Sequence, residues 1–189
     1  YILLLSFADS TVDEQVGDAL RAMTDQTPLD GLILDNRRNE GGADSVLSGT
    51  LSYFTAGTLG YFVNREEQRP LEIRKGRDIN GSEQTPLVVL VGTDTVSFGE
   101  VFAGILQDIG RAYLIGETSL GNVETLWGYD FEDGSRAWIA HDTFRPVNHL
   151  DADWEETGIV PDLTVLSQWD LVTTEKDPAV LAALTYFDR

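Results

Sequence analysis

Residues 87–109 read Leu87-Val88-Val89-Leu90-Val91-Gly92-Thr93-Asp94-Thr95-Val96-Ser97-Phe98-Gly99-Glu100-Val101-Phe102-Ala103-Gly104-Ile105-Leu106-Gln107-Asp108-Ile109. The five apolar residues that follow Pro86 show no polar alternation, which predicts a strand buried on both faces. Gly92 ends the run, 93–97 form a turn, and from Phe98 the apolar residues return at helical spacing. Strand, tight turn and helix make the repeating unit of a parallel α/β sheet. Ser97 stands where the helix begins. Taken alone it is a helix N-cap, and Glu100 three residues later completes a capping-box pattern. A nucleophile in this position would also need a base and an oxyanion hole.

A second unit of the same kind lies upstream. Gly31–Asp35 is a short apolar run ending in a carboxylate, 36–42 is a polar loop closed by Gly41-Gly42, and 43–54 is a predicted helix. Paired glycines let backbone N–H groups approach a ligand, and the helix start adds a field that favours negative charge. A plain strand-to-helix turn has the same spacing, so the motif alone leaves both readings open.

Working outward, 1–7 predicts a buried strand, and Val12, Val16, Ala19, Leu20 and Met23 predict a helix capped by Asp9, Ser10 or Thr11. Residues 59–63 and 71–73 predict strands around a charged turn. Residues 111–116 predict a third core strand. Residues 123–131 and 135–144 predict a hairpin, with Asp133-Gly134 as a two-residue turn. Residues 158–165 close the sheet, and Asp177-Pro178 opens a last helix. Strands 32–35, 87–91 and 112–115 are expected side by side. The whole is one α/β domain over 1–189.

Composition narrows function. The chain has 189 residues and a formal net charge of −19, which repels phosphate backbones and anionic lipid, so neither nucleic acid nor a membrane surface is an expected partner. It has no cysteine, which excludes disulfides, zinc thiolates and thiol catalysis. Tyr1–Leu5 is apolar but too short to span a membrane. The chain opens inside a predicted strand without a starting Met, so an upstream segment is expected. No cofactor or metal is called for, although the acidic run Asp151–Glu156, otherwise a solvated loop, could hold a cation weakly. Trp127, Trp138 and Trp154 read as packing or interface residues, and Arg37 and Arg38 as partners of local acids.

Several motifs in order carry a resemblance. Asp35-Asn36-Arg37-Arg38-Asn39-Glu40-Gly41-Gly42, the Ser97–Glu100 turn with its helix, Gly110-Arg111-Ala112, Ile115–Thr118, Leu120-Gly121, Gly158–Asp162 and Asp177-Pro178 follow the order of the carboxyl-terminal processing (tail-specific) serine peptidases. The resemblance runs from about residue 1 to 187. It implies a ClpP/crotonase-like spiral core, a mixed sheet flanked by helices. It also implies Ser97 as nucleophile, an oxyanion hole from the Gly42 and Phe98 N–H groups, and peptide or protein substrates. By the same resemblance the chain is the catalytic part of a protein with upstream signal and PDZ regions, located in the cell envelope, periplasm or outside the cell, and possibly a homo-oligomer.

One departure bears on the chemistry. The family's general base is a lysine, and the position that resembles it holds Asn122, which cannot take a proton from Ser97. The glutamine that follows that lysine in the family falls on Leu126. A branch resembling the tricorn peptidases places a His on the first core strand, where this chain has Leu3, Leu4 and Leu5. Counting back from a two-residue Asp133-Gly134 turn pairs Leu126 with His141 and Glu124 with Thr143. That puts Asn122, Glu124, Leu126 and His141 on one face. Glu124 or His141 is therefore the expected replacement base. The alternative is an inactive pseudo-peptidase that binds a peptide tail or an apolar ligand, as the retinoid-binding relatives do.

Overall fold

The computed structural model describes residues 1–172 and 175–188. In chain order its elements are β1 (Ile2–Leu3), α1 (Val12–Thr24), β2 (Leu32–Asp35), α2 (Asp44–Leu51), β3 (Gly57–Val63), β4 (Gln68–Ile73) and β5 (Leu87–Val91). They continue with α3 (Phe98–Asp108), β6 (Tyr113–Gly116), β7 (Thr125–Asp130), β8 (Arg136–Pro146), β9 (Leu163–Thr164) and α4 (Pro178–Phe187).

Five strands form a parallel sheet in the order β1-β2-β5-β6-β9. The three expected core strands are neighbours, in the registers Leu34↔Val89 and Val89↔Leu114. Their unbroken apolar runs follow from burial on both faces. Leu32, Leu34, Val89, Val91 and Leu114 join the main core with Val16 and Leu20 of α1 and Val101, Phe102 and Ile105 of α3. Ile33, Val88, Leu90 and Ile115 turn the other way and pack on Ala179 and Ala183 of α4. Four further strands form an antiparallel sheet in the order β4-β3-β8-β7. The parallel and antiparallel parts of this α/β fold are thus separate sheets. Helix α3 meets the antiparallel sheet at an aromatic joint, where the ring of Phe62 of β3 lies 5.2 Å from that of Phe144 of β8 and 6.0 Å from that of Phe98, the first residue of α3. That joint sets the start of α3 against the antiparallel sheet.

The Arg37 guanidinium is fully buried and forks between Asp35 and Asp177, reaching Asp177 Oδ2 at 2.6 Å. Asp177 also caps α4 by accepting from Ala179 N at 3.0 Å. Burial disfavours the charged guanidinium, but the two carboxylates more than compensate and raise its pKa. One of its partners is local, as expected, and the other is 140 residues away. The exposed Arg38 makes no ion pair among the described residues.

Three sequence expectations are corrected. Residues 1–7 are not a buried strand: β1 covers Ile2–Leu3 at the sheet edge, with Leu4 and Phe7 buried and Leu3 and Leu5 exposed, because an edge with one neighbour leaves alternate side chains in solvent. The second helix stops at Leu51, not 54. The hairpin turn is not the two-residue Asp133-Gly134. Phe131 N donates to Ser135 O and Gly134 N to Phe131 O, which closes a three-residue loop with Gly134 at φ 84°. A three-residue hairpin loop closed by a left-handed glycine is a common alternative to the two-residue turn. It shifts the pairing by one residue, so Leu126 faces Ala140 and Trp127 faces Ile139. A bulge then restores the count at Thr125↔Asp142 and leaves His141 unpaired.

Candidate active site

The two strand–loop–helix turns found in the sequence are laced together. Thr95 Oγ1 donates to Asn36 O (2.9 Å), Val96 N to Asn39 O (3.0 Å) and Asn36 Nδ2 to Gly99 O (2.8 Å). Between them the backbone of Ser97 is forced to φ 56°, ψ −128°. A non-glycine residue there is strained by about 1–3 kcal/mol, a strain that persists only where the surroundings over-determine it. Gly41 is what fits against it. At φ 83°, a methyl on Gly41 would stand 2.7 Å from Ser97 Cβ and 2.9 Å from Phe98 N. A methyl on Gly42 would collide with the Phe7 carbonyl. The paired glycines are thus explained by close approach.

The Phe7–Gly42 bridge uses Gly41 O as acceptor from Phe7 N and Phe7 O as acceptor from Ala43 N. Among the described residues this leaves the Gly42 N–H without a protein acceptor, and the Phe98 N–H at the first turn of α3 is likewise uncommitted. Both residues line the same cavity as Ser97.

Glu100 does more than close a capping box. Its fully buried carboxylate accepts from Ser97 N (3.2 Å), Ser119 Oγ (2.6 Å), Gly121 N (2.6 Å) and Asn122 N (2.8 Å). Asn122 O in turn accepts from Ser97 N at 2.9 Å. The 119–122 loop is thereby fixed against the Ser97 turn, and the Asn122 side chain lines its cavity.

That cavity has a volume of about 510 Å³. It brings together Ser97, Gly42, Phe98, Asn122 and Glu124, five of the six residues singled out from the sequence. The sixth, His141, is placed elsewhere. It lines an adjoining open cavity of about 1020 Å³, stacks on Trp127 at 3.8 Å between centroids, and bonds Asp142 Oδ1 through Nδ1 at 2.9 Å. The expected common face of Glu124, Leu126 and His141 holds only in part: Glu124 and His141 share the larger cavity, whereas Leu126 lines the Ser97 cavity without His141. The altered turn and the bulge carry His141 past its predicted partner, and a one-residue slip reverses the face. Glu124 and Trp127 line both cavities.

Glu124 and Asp142, the two hairpin acids that line the Ser97 cavity, are tuned in opposite directions. Burial raises the Glu124 carboxyl above its ordinary value, and the negative charges of Glu155 and Asp153 push it the same way. Burial also acts to raise Asp142, but hydrogen bonds from Asn64, His141 and Thr125 outweigh it and hold Asp142 below the usual carboxylate range. Glu124 is thus the acid better suited to take up a proton. Glu155 Oε2 accepts from Val123 N (2.8 Å) and Glu124 N (3.3 Å), so part of the supposed solvated loop is a structural clamp. Among the described residues no group of three His, Cys, Asp or Glu side chains converges as for a metal ion.

Sequence reasoning missed Gly41 as the glycine against Ser97, Asp142 as a wall residue, and Arg69, the one cation lining the cavity among the described residues. Trp127 and Trp138 also line it rather than packing in the core, at 50% and 60% exposure; Trp154 does pack, against Phe144. The Ser-x-x-Glu spacing was the available signal for Glu100. Nothing local marks Asp142 or Arg69.

The sequence model of peptidase family S41 matches residues 1–165. A carboxyl-terminal-processing protease of Synechocystis sp. is 32% identical over 190 residues, covering 97% of this chain and 42% of that protein. The chloroplastic carboxyl-terminal-processing peptidase 3 of Arabidopsis thaliana is 28% identical, covering 86% of this chain and 31% of the relative. The solved photosystem II D1 C-terminal processing protease superposes with a TM-score of 0.76 at 27% identity, over 86% of this chain and 41% of that one. This chain therefore spans about two-fifths of the length of the first relative.

Proposed function

This chain belongs to peptidase family S41, and from that premise we propose that it is a serine endopeptidase of the carboxyl-terminal-processing type, acting on peptide or protein substrates. The observation that carries the proposal is the backbone of Ser97, a non-glycine held at φ 56° at a strand-to-helix turn. Such a turn lifts a serine hydroxyl out of the chain toward substrate.

In the proposed reaction Ser97 Oγ attacks the peptide carbonyl. The Gly42 and Phe98 N–H groups receive the developing oxyanion, aided by the α3 N-terminus. Glu124 takes the serine proton and returns it to the leaving amine. Its place on the Ser97 cavity wall and its raised pKa support it over His141. No lysine lines that cavity. Asn122, which resembles the family's lysine position, lies beside Ser97, so proton transfer here is weaker than a lysine would allow.

That same absence favours a second reading, a pseudo-peptidase that keeps the cleft and binds a peptide tail. A serine-directed fluorophosphonate separates the two: covalent labelling lost in Ser97→Ala supports the peptidase, and no labelling supports the binding protein. Asn122→Lys should raise labelling and hydrolysis about tenfold or more if the cleft is otherwise intact. Action in an extracytoplasmic compartment such as the cell envelope is part of the proposal. The chloroplastic naming of relatives supports it, and no helix among the described residues is long and apolar enough to cross a membrane. Homo-oligomerisation is proposed only from family resemblance.

A further inference from the structure

We infer that the open edge of β7 is the substrate-binding strand: an extended, neutral or basic peptide adds to the antiparallel sheet beside Leu126–Asp130 and is led along it to Ser97. This deepens the peptidase reading and rests on it for the identity of the occupant.

β7 is the last strand in the order β4-β3-β8-β7, so among the described residues only β8 pairs with it. The hairpin closes through Phe131 N donating to Ser135 O. Hydrogen-bonded pairs alternate along an antiparallel ladder, so Tyr129 and Trp127 direct their backbone groups at β8. Leu126, Gly128 and Asp130 then direct theirs outward. An exposed edge with apolar side chains is a template for another strand, and proteins that avoid pairing blunt such edges with Lys or Pro. β7 reads Thr125-Leu126-Trp127-Gly128-Tyr129-Asp130 and contains neither; the bulge at Thr125/Leu126 and the charge of Asp130 stand at its two ends and leave the stretch between them open.

The edge leads to the chemistry. Thr125, Leu126 and Trp127 line the Ser97 cavity. An added strand presents alternate side chains to opposite faces. One face offers Trp127, Tyr129 and Ile139, all exposed, and the outer cavity beside His141. The other offers Leu126 and Trp138 within the Ser97 cavity. Both faces therefore take apolar side chains. The charge of the cavity selects among them, since among the described residues Glu40, Asp44, Glu124 and Asp142 line it against the single Arg69. An acidic segment is disfavoured and a neutral or basic one is drawn in. The five residues Leu126–Asp130 reach about 17 Å at about 3.4 Å per residue, so affinity should grow with peptide length on that side and level off after about five residues.

The test uses the Ser97→Ala chain and an amide-capped ten-residue peptide of leucine, alanine and two lysines, with binding read by isothermal titration calorimetry. Two modified peptides carry N-methyl groups on alternate amides, in the two possible registers. Strand addition predicts that one register weakens binding about tenfold or more while the other changes it little. Equal effects in both registers, no effect in either, or no binding of the parent peptide overturns the proposal. Fluorophosphonate labelling of the unmodified chain is scored separately. Labelling without register dependence removes the edge and keeps the peptidase. Register dependence without labelling keeps the edge as a peptide-binding strand and removes the peptidase.

Discussion

The turn that carries Ser97 is clamped from every side. Gly41 presses on it, Asn39 O and Asn36 O tie it to the neighbouring loop, and the buried Glu100 carboxylate gathers the 119–122 loop against it. The β7–β8 hairpin opposite is the reverse. Every residue of β7 after Thr125 is exposed, one edge is open, and its register changes at a bulge. Its fixed point is Asp142, which gathers Asn64, Thr125 and His141 where the strands enter the cavity. The contrast assigns a division of labour. A strained residue needs a rigid surround to hold its geometry, whereas a surface that receives extended peptides of varied sequence keeps its backbone groups and apolar side chains available.

The largest effect should come from the strained residue itself. Ser97→Ala should abolish hydrolysis, by at least about a thousandfold, and remove fluorophosphonate labelling while circular dichroism stays native. Unchanged turnover in the purified variant would place the nucleophile elsewhere. Ser97→Gly should be equally inactive yet more stable by about 1 kcal/mol, because glycine relieves the positive φ. A fall in Tm on that change would show that the strain reading of the turn is wrong.

Next comes the clamp. Glu100→Ala leaves several buried donors without an acceptor and should destabilise the chain by about 3–5 kcal/mol, read by urea unfolding. A loss below about 1 kcal/mol would mean that the loop does not depend on this carboxylate.

Glu124 sits where the two regions meet, and its effect should be intermediate. Glu124→Gln should lower kcat by about 10²–10⁴-fold. As the base must be ionised and its pKa is raised, activity should disappear as pH falls through a value above the ordinary glutamate range. The acid limb should vanish from whatever activity the variant retains. A limb in the imidazole range that disappears in His141→Gln instead would reassign the base.

The smallest effect belongs to the hairpin root. Asp142 is depressed, so its contribution to stability is present above the unfolded carboxylate pKa of about 3.9 and is lost as pH falls through its lower native value. A tryptophan fluorescence change from Trp127 should appear below about pH 4 and be absent in Asp142→Asn. Persistence of that acid change in Asp142→Asn would assign it to another group.

The amino-acid sequence determined the parallel core because burial on both faces writes itself as unbroken apolar runs, as in Leu87–Val91, and helices announce themselves by period. It determined the Ser97 turn and the glycine pair as well, since the residues that make a tight strand-to-helix connection are contiguous. Tertiary structure alone decided the rest of the site. Asp142 and Arg69 reach the cavity from strands distant in sequence, and Glu100 gains its second role only when the 119–122 loop arrives beside it. His141 is the sharpest case. Its facing depended on a three-residue turn and on a bulge, and because the side-chain period of a strand is two, a single residue of register moved it from the Ser97 cavity to the one beside it.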